Sequence, residues 1–205
     1  AAQHVVFNAP AVFPAIIDIN GGVFDSSFAD FTGQLRIENG ANVTVTSSHF
    51  IGPNGLLWVQ ELPSILPFVR VEGCTFDSSS ATISDAITVL TNNVFNNSSC
   101  LLLRGFADVT STNTFTSGSF SVSRQESIQP FYLNGVHTSN SAAGMNLDGG
   151  NFLVGSNTVL QNNTYPISLE GGLLPDSTIP LTGNGINAID VGDGGFAGRG
   201  EWSQL

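Results

Sequence analysis

Lysine is missing altogether. The five basic residues are all arginine, against sixteen carboxylates, for a formal net charge of −11. So few cations cannot neutralise a phosphate backbone, which argues against nucleic acid as a partner. The same deficit disfavours anionic membrane surfaces, and the absence of lysine excludes any lyase that relies on a lysine. Charge of either sign is scarce, at 10% against about 25% in average globular chains. Windows rich in the helix formers Ala, Leu, Glu and Lys are absent, and no apolar run approaches the roughly 20 residues of a membrane helix. No signal peptide is visible. Ala1-Ala2-Gln3 suits a start after signal cleavage and equally an arbitrary boundary. Two cysteines, Cys74 and Cys100, are too few for a disulfide scaffold and leave two readings, a single disulfide or two small buried thiols. No cofactor and no metal site is implied: His4, His49 and His137 are isolated in sequence, and no Cys/His spacing suits zinc. The acidic, glycine-rich turns Asp148-Gly149-Gly150-Asn151 and Asp190-Val191-Gly192-Asp193 lack the several carboxylates of a calcium loop.

What is present is Asn, Ser and Thr in place of charge, 23 glycines, and a recurring grammar. A bulky apolar anchor is followed by about four small polar residues and then by apolar residues in alternation. The anchors are Phe24, Phe50, Phe76, Phe95, Phe115, Leu160 and Leu181, with Thr138 as a weak member, at separations of 26, 26, 19, 20, 23, 22 and 21. Five positions on stand Ala29, Gly55, Ala81, Cys100, Phe120, Tyr165 and Ile186. Seven positions on stand Phe31, Leu57, Ile83, Leu102, Val122, Ile167 and Ala188. Columns two apart share one face of a strand. A second short strand precedes each anchor, as in Val43-Thr44-Val45, Val69-Arg70-Val71 and Ile87-Thr88-Val89.

A period of roughly 22 residues built from short strands and polar turns is the pattern of a β-solenoid, in which no coil can bury its inward face alone. About eight coils spaced by the ~4.8 Å strand separation give a rod some 40 Å long. A β-sandwich also shows short strands at regular intervals, but it does not predict the same offsets after successive anchors. The expectation is an all-β, single domain over 1–205: a right-handed parallel β-helix of about eight coils, with 1–23 as first coil or cap and 24–205 as repeats. Phe95 and Leu102 should point inward, and Cys100 should stack between Ala81 and Phe120.

Asn93-Val94-Phe95 and Asn113-Thr114-Phe115 resemble the turn-and-anchor step of the right-handed parallel β-helix repeat superfamily, which includes pectate-lyase-like enzymes and bacterial surface proteins. Tyr165-Pro166-Ile167-Ser168-Leu169 and the stretch from Leu181 to Ile189 resemble coils of secreted bacterial β-helix proteins. The resemblance implies shape and a secreted or cell-surface setting, and says little about chemistry.

Three coils carry excursions at one place: Trp58 to Pro67, Ser123 to Pro130 and Gly171 to Pro180. Stacked coils put equivalent positions on one side, and loops on a rigid scaffold are where function usually sits. Glu61 and Glu126 are the candidate catalytic carboxylates there, with Arg124 beside them, suited to glycoside hydrolysis or to proton abstraction next to an acidic sugar. Trp58, Phe131 and Tyr132 are the candidate glycan-binding aromatics. The adjacent aspartate pair, Asn-Thr-Asp and Arg-Ile-Lys clusters of enzymes on this fold are missing. The leading expectation is therefore a structural or adhesive module that self-associates through its ends or belongs to a longer surface protein. Asn42-Val43-Thr44, Asn96-Asn97-Ser98, Asn97-Ser98-Ser99 and Asn162-Asn163-Thr164 also fit the N-glycosylation sequon.

Overall fold

The structure, a computed structural model, describes residues 4–60, 66–109, 111–123, 131–149 and 152–170, except for the Phe106 side chain. Beyond these it describes the backbone of 173–174, 181–182, 189–191 and 196–197. It is a parallel β-solenoid of about eight turns. The chain visits three faces in constant order, called A, B and C here. His4–Phe7 on face A, Ala11–Phe13 on face B and Ile17–Asn20 on face C make the first circuit. Each later circuit pairs in parallel with the one before it. Face B is a nine-stranded sheet. Faces A and C belong to one fifteen-stranded sheet, because the long strands Ser80–Thr91 and Ser99–Val109 run through both faces, their pairing interrupted at Asp85 and Arg104.

Alternation along each short strand decides which residues make the core. On face B, one inward residue per strand stacks on its equivalent one coil away. Phe31, Phe50, Phe76, Phe95 and Phe115 form a continuous ring stack with centroids 4.7, 4.5, 4.4 and 4.4 Å apart and nearly parallel planes. Phe13 extends it at 5.1 Å. The strand spacing sets that separation. Burying each ring contributes about 1.5–3 kcal/mol, with about 0.5–1.5 kcal/mol more per ring pair. The stack ends at Thr138, which pairs with Phe115 in register. There Phe120 leans in from face C, 5.8 Å from Phe115 and tilted by 57°. Leu160 and Leu181 continue the column in register.

The anticipated rung is present. Phe95 and Leu102 are buried, and Cys100 lies between Ala81 and Phe120. Both cysteines are free and buried. Burial pushes the thiol of Cys74 up to about 11 and that of Cys100 up to about 12, so neither is a thiolate nucleophile at neutral pH.

Three register expectations fail, each for a physical reason. Phe24 is not an anchor. It lies on face A opposite Val43, and Phe31 occupies the stack position between Phe13 and Phe50. Its successor Asp-Ser-Ser mimics the turn after Phe76, yet here those residues are still strand (Val23–Ser27). Next, the offset after the anchor is not constant. Leu57 and Val59, rather than Gly55 and Leu57, stand opposite Ala81 and Ile83. Ile167, rather than Tyr165, stands opposite Met145. Turns of different length absorb the difference while the stacking partners hold the register. Gly55 is forced by close packing, since a Cβ there would meet the Phe31 carbonyl oxygen at 2.5 Å. Lastly, Thr88 and Leu90 point inward, opposite Val69 and Val71, so Ile87 faces solvent. Ile186 and Ala188 lie outside the described residues.

Candidate functional site

The three corners between faces are built differently. At the A-to-B corner the residue two before each anchor turns inward: Ala29, Ser48, Cys74, Asn93, Asn113, Val136 and Thr158 are all buried. Their polar members bridge coils. Asn93 Oδ1 accepts from Cys74 N at 3.0 Å. Asn93 Nδ2 donates to Val71 O at 2.9 Å and to Asn113 Oδ1 at 2.9 Å. Asn113 Nδ2 donates to Leu90 O at 3.1 Å and to Ser111 O at 2.8 Å. The B-to-C corner repeats the device with Ser98, whose hydroxyl accepts from Ser79 N at 3.0 Å, and with Asn163, whose Oδ1 accepts from Ser141 N at 3.0 Å. Each such turn passes through a left-handed residue: Ser78, Asn97, Ser117, Asn140 and Asn162 have φ between 49° and 57°. Short polar side chains tolerate that conformation. Gly118 leaves no alternative, because a Cβ would lie 1.7 Å from the Ser98 carbonyl oxygen.

Among the described residues the C-to-A corner has no such ladder, and two of the anticipated excursions fall on it; the third, Gly171 to Pro180, lies mostly outside the described residues. One joins Leu56–Val59 to Phe68–Glu72, and another joins Phe120–Ser123 to Phe131–Leu133. Between those two coils the chain makes the corner with one left-handed residue inside each long strand, Asp85 (φ 54°) and Arg104 (φ 54°). Other coils place Gly21-Gly22, Asn39-Gly40 or Gly149 here. A left-handed arginine costs about 1–2 kcal/mol, and strain of this kind concentrates at working sites. The two residues face each other across adjacent coils, since Ser84 pairs with Leu103 and Ala86 with Gly105. Arg104 Nη2 donates to Asp85 Oδ2 at 2.7 Å, and Ser84 Oγ donates to the same oxygen at 2.8 Å. The Asp85 side chain is 7% exposed and that of Arg104 is 49% exposed. The other described arginines bond half-buried carboxylates on their own strands, Arg36 Nε to Glu38 at 2.7 Å and Arg70 Nε to Glu72 at 2.9 Å, and Arg36 also lies 3.9 Å from Asp18 one coil away.

This pair escaped the sequence reading because Asp85 and Arg104 sit in strands that look continuous. A signal existed: polar residues interrupt the alternation where the shortest coils must still turn. Of the anticipated site residues, Glu61, Arg124 and Glu126 lie outside the described residues. Trp58 is half-buried on the outside of face C, and the Arg36 guanidinium carbon lies 4.6 Å over its ring. Tyr132 is 57% exposed on face A opposite Asp108. Phe131 points the other way, into the core, 5% exposed and 6.3 Å from Phe152. Trp58 and Tyr132 therefore lie on different faces, with the rungs of Ser80–Thr91 and Ser99–Val109 between them. They do not form one aromatic platform.

Elsewhere, His49 Nε2 lies 2.6 Å from Asp77 Oδ2 on face B. A hydrogen bond from Asn96, then one from His49, hold the Asp77 carboxyl below its usual range. A recess of about 320 Å³ opens near the B-to-C corner, lined by Ser99, Ser119, Asn140, Ser141 and Asn146 among others. The turn after Thr138 is longer there than the turn after Phe115. Among the described residues no group of three or more His, Cys, Asp or Glu is placed to hold a metal ion. Comparison with protein-family models, with curated proteins and with solved structures finds no match to this chain.

Proposed function

We propose that this chain is a structural or adhesive module of a secreted or surface-displayed protein. It is a stiff solenoid that presents the C-to-A corner to a partner while the other two corners hold the coils together. The observation that carries this reading is that division of labour. Buried amides and hydroxyls at two corners are committed to coil-to-coil hydrogen bonds. The third corner carries the variable loops and the strained Asp85–Arg104 pair. Loops on a rigid frame suit recognition.

Self-association belongs to the same proposal. Val6, Val12 and Ile16 of the first circuit are 46, 64 and 62% exposed, an outward apolar strip suited to cover by a second copy. Sedimentation velocity of the full chain over a range of concentrations is expected to show association that Val12→Lys weakens. A monomer at every concentration would remove self-association from the proposal.

The second reading, action on polysaccharide, is favoured by one observation. The Asp85 carboxylate and Arg104 guanidinium stand together at the root of the loops that carry Glu61, Arg124 and Glu126. Turnover of neutral or acidic polysaccharides that is lost in Glu61→Gln, Glu126→Gln or Asp85→Asn would overturn the purely structural reading. The structural reading expects no turnover by the unaltered protein.

A further inference from the structure

The fold treats the four sequons unequally. Asn96 Nδ2 donates to Asp77 Oδ1 at 2.7 Å, and its third residue, Ser98, is 3% exposed with its hydroxyl built into the corner ladder. Asn97 Nδ2 donates to Ser78 Oγ at 3.3 Å, and half-buried Ser99 lies 3.4 Å from the Ser119 hydroxyl. Asn42 sits within the strand Asn42–Thr46, its Oδ1 accepting from Phe68 N at 2.7 Å, with Thr44 half-buried on face A. Like Asn97 in an earlier coil (φ 49°), Asn162 occupies the left-handed position of the B-to-C corner (φ 54°) and is exposed. It differs from all three in that its third residue, Thr164, is exposed as well. Neither side chain makes a hydrogen bond among the described residues. Asn163 between them is buried and fixes the turn, bonded to Ser141 N at 3.0 Å and to the Thr138 hydroxyl at 3.0 Å.

We propose that Asn162 is an N-glycosylation site, a modification that rests on the extracellular reading above. The acceptor motif needs a surface loop and a Ser or Thr two residues on, and here both groups reach solvent from a turn anchored by a third. The donor is an oligosaccharide carried on a polyprenyl diphosphate. Asn162 Nδ2 forms the new bond to the sugar C1. The bond from C1 to the diphosphate oxygen breaks, the polyprenyl diphosphate leaves with the electron pair, and Nδ2 gives up one proton. No ladder bond is lost. At Asn96 the same transfer would use the amide nitrogen that serves Asp77. A glycan at Asn162 would cover the B-to-C corner beside the last fully described coil and leave the C-to-A corner open.

The test is secretion of the full chain from a eukaryotic host, with intact mass and peptide mapping before and after peptide N-glycosidase. The expected result is one glycan on the peptide containing Asn162. It is lost in Asn162→Gln and in Thr164→Val, and it is kept in Asn42→Gln, Asn96→Gln and Asn97→Gln. Thr164→Val leaves Asn162 and its turn in place, so loss of the glycan from a folded Thr164→Val protein cannot come from a broken corner. Folded, secreted protein without a glycan, or a glycan that survives Asn162→Gln, overturns the assignment. The extracellular reading is tested separately by fractionating natural cells. An intracellular natural protein whose Asn162 is still occupied in the secretory host would overturn that reading alone.

Discussion

The A-to-B corner and the C-to-A corner turn the same chain through comparable bends with opposite strategies. At the first, buried Asn93 and Asn113 hold neighbouring coils by bonds that exist only when the coils stack in register. At the second, the bend is made by glycines, by Asn39-Gly40, by loops, or by Asp85 and Arg104. The A-to-B turn varies by only one residue, two separating Leu90 from Asn93 and three separating Val109 from Asn113, and the Asn93–Asn113 bond holds across that difference. Among the described residues of the C-to-A corner no amide has to meet its equivalent in the next coil, and much longer excursions fit. The difference explains why the excursions collect on one edge, and it identifies that edge as the place where sequence can vary without loss of the fold.

The comparison can be broken most directly at Asn113. Asn113→Ala removes the acceptor for Asn93 and the donor to Leu90 O, leaving buried polar groups unpaired. It is expected to cost about 2–3 kcal/mol in urea unfolding. Asp85→Asn keeps the shape of the open corner and is expected to cost no more than about 1 kcal/mol, on the scale of one hydrogen bond. Equal losses at the two positions would erase the distinction. A smaller effect, of opposite sign, is expected at Ser26. Its hydroxyl faces inward on face A between Phe7 and Val45 and is buried without a hydrogen-bond partner among the described residues. Unlike the corner hydroxyls it serves no ladder, and Ser26→Ala should raise stability by about 1 kcal/mol. The smallest effect belongs to Asp77, on the exposed side of face B. Its folded pKa lies below the ordinary carboxylate value, so its contribution is present above the unfolded value of about 4 and is lost as pH falls through the folded one. Asp77→Asn should flatten the acid limb of the stability profile by a small loss at neutral pH, with stability below the folded pKa unchanged. A marked loss at neutral pH would mean that the exposed face is tied into the ladders.

The anchor grammar was legible because like residues stack on like. Phe50, Phe76, Phe95 and Phe115 recur with polar turns behind them and do form one column. The first coils misled because aromatic residues occur on two faces there. Phe24-Asp25-Ser26-Ser27 has the composition of an anchor and turn, yet it is a strand on face A. Phe131 was misread as a surface residue because it follows a loop, although alternation with Leu133 already put it inside. Asp85 and Arg104 were hard to see because they sit in strand-like stretches, where the one mark of the turn is a polar break in the alternation.

The sequence by itself determined the solenoid and most of its core, because a coil that cannot bury its own apolar face must repeat a strand alternation that stacking will bury. Only the tertiary structure decided the register of each coil and which corner is locked. Turn lengths vary while strand parity does not, so the choice between Phe24 and Phe31, or between Ile87 and Thr88, is made by the neighbouring coil. The tertiary structure also brought Asp85 to Arg104. Residues nineteen positions apart become neighbours only when one coil lies on the next.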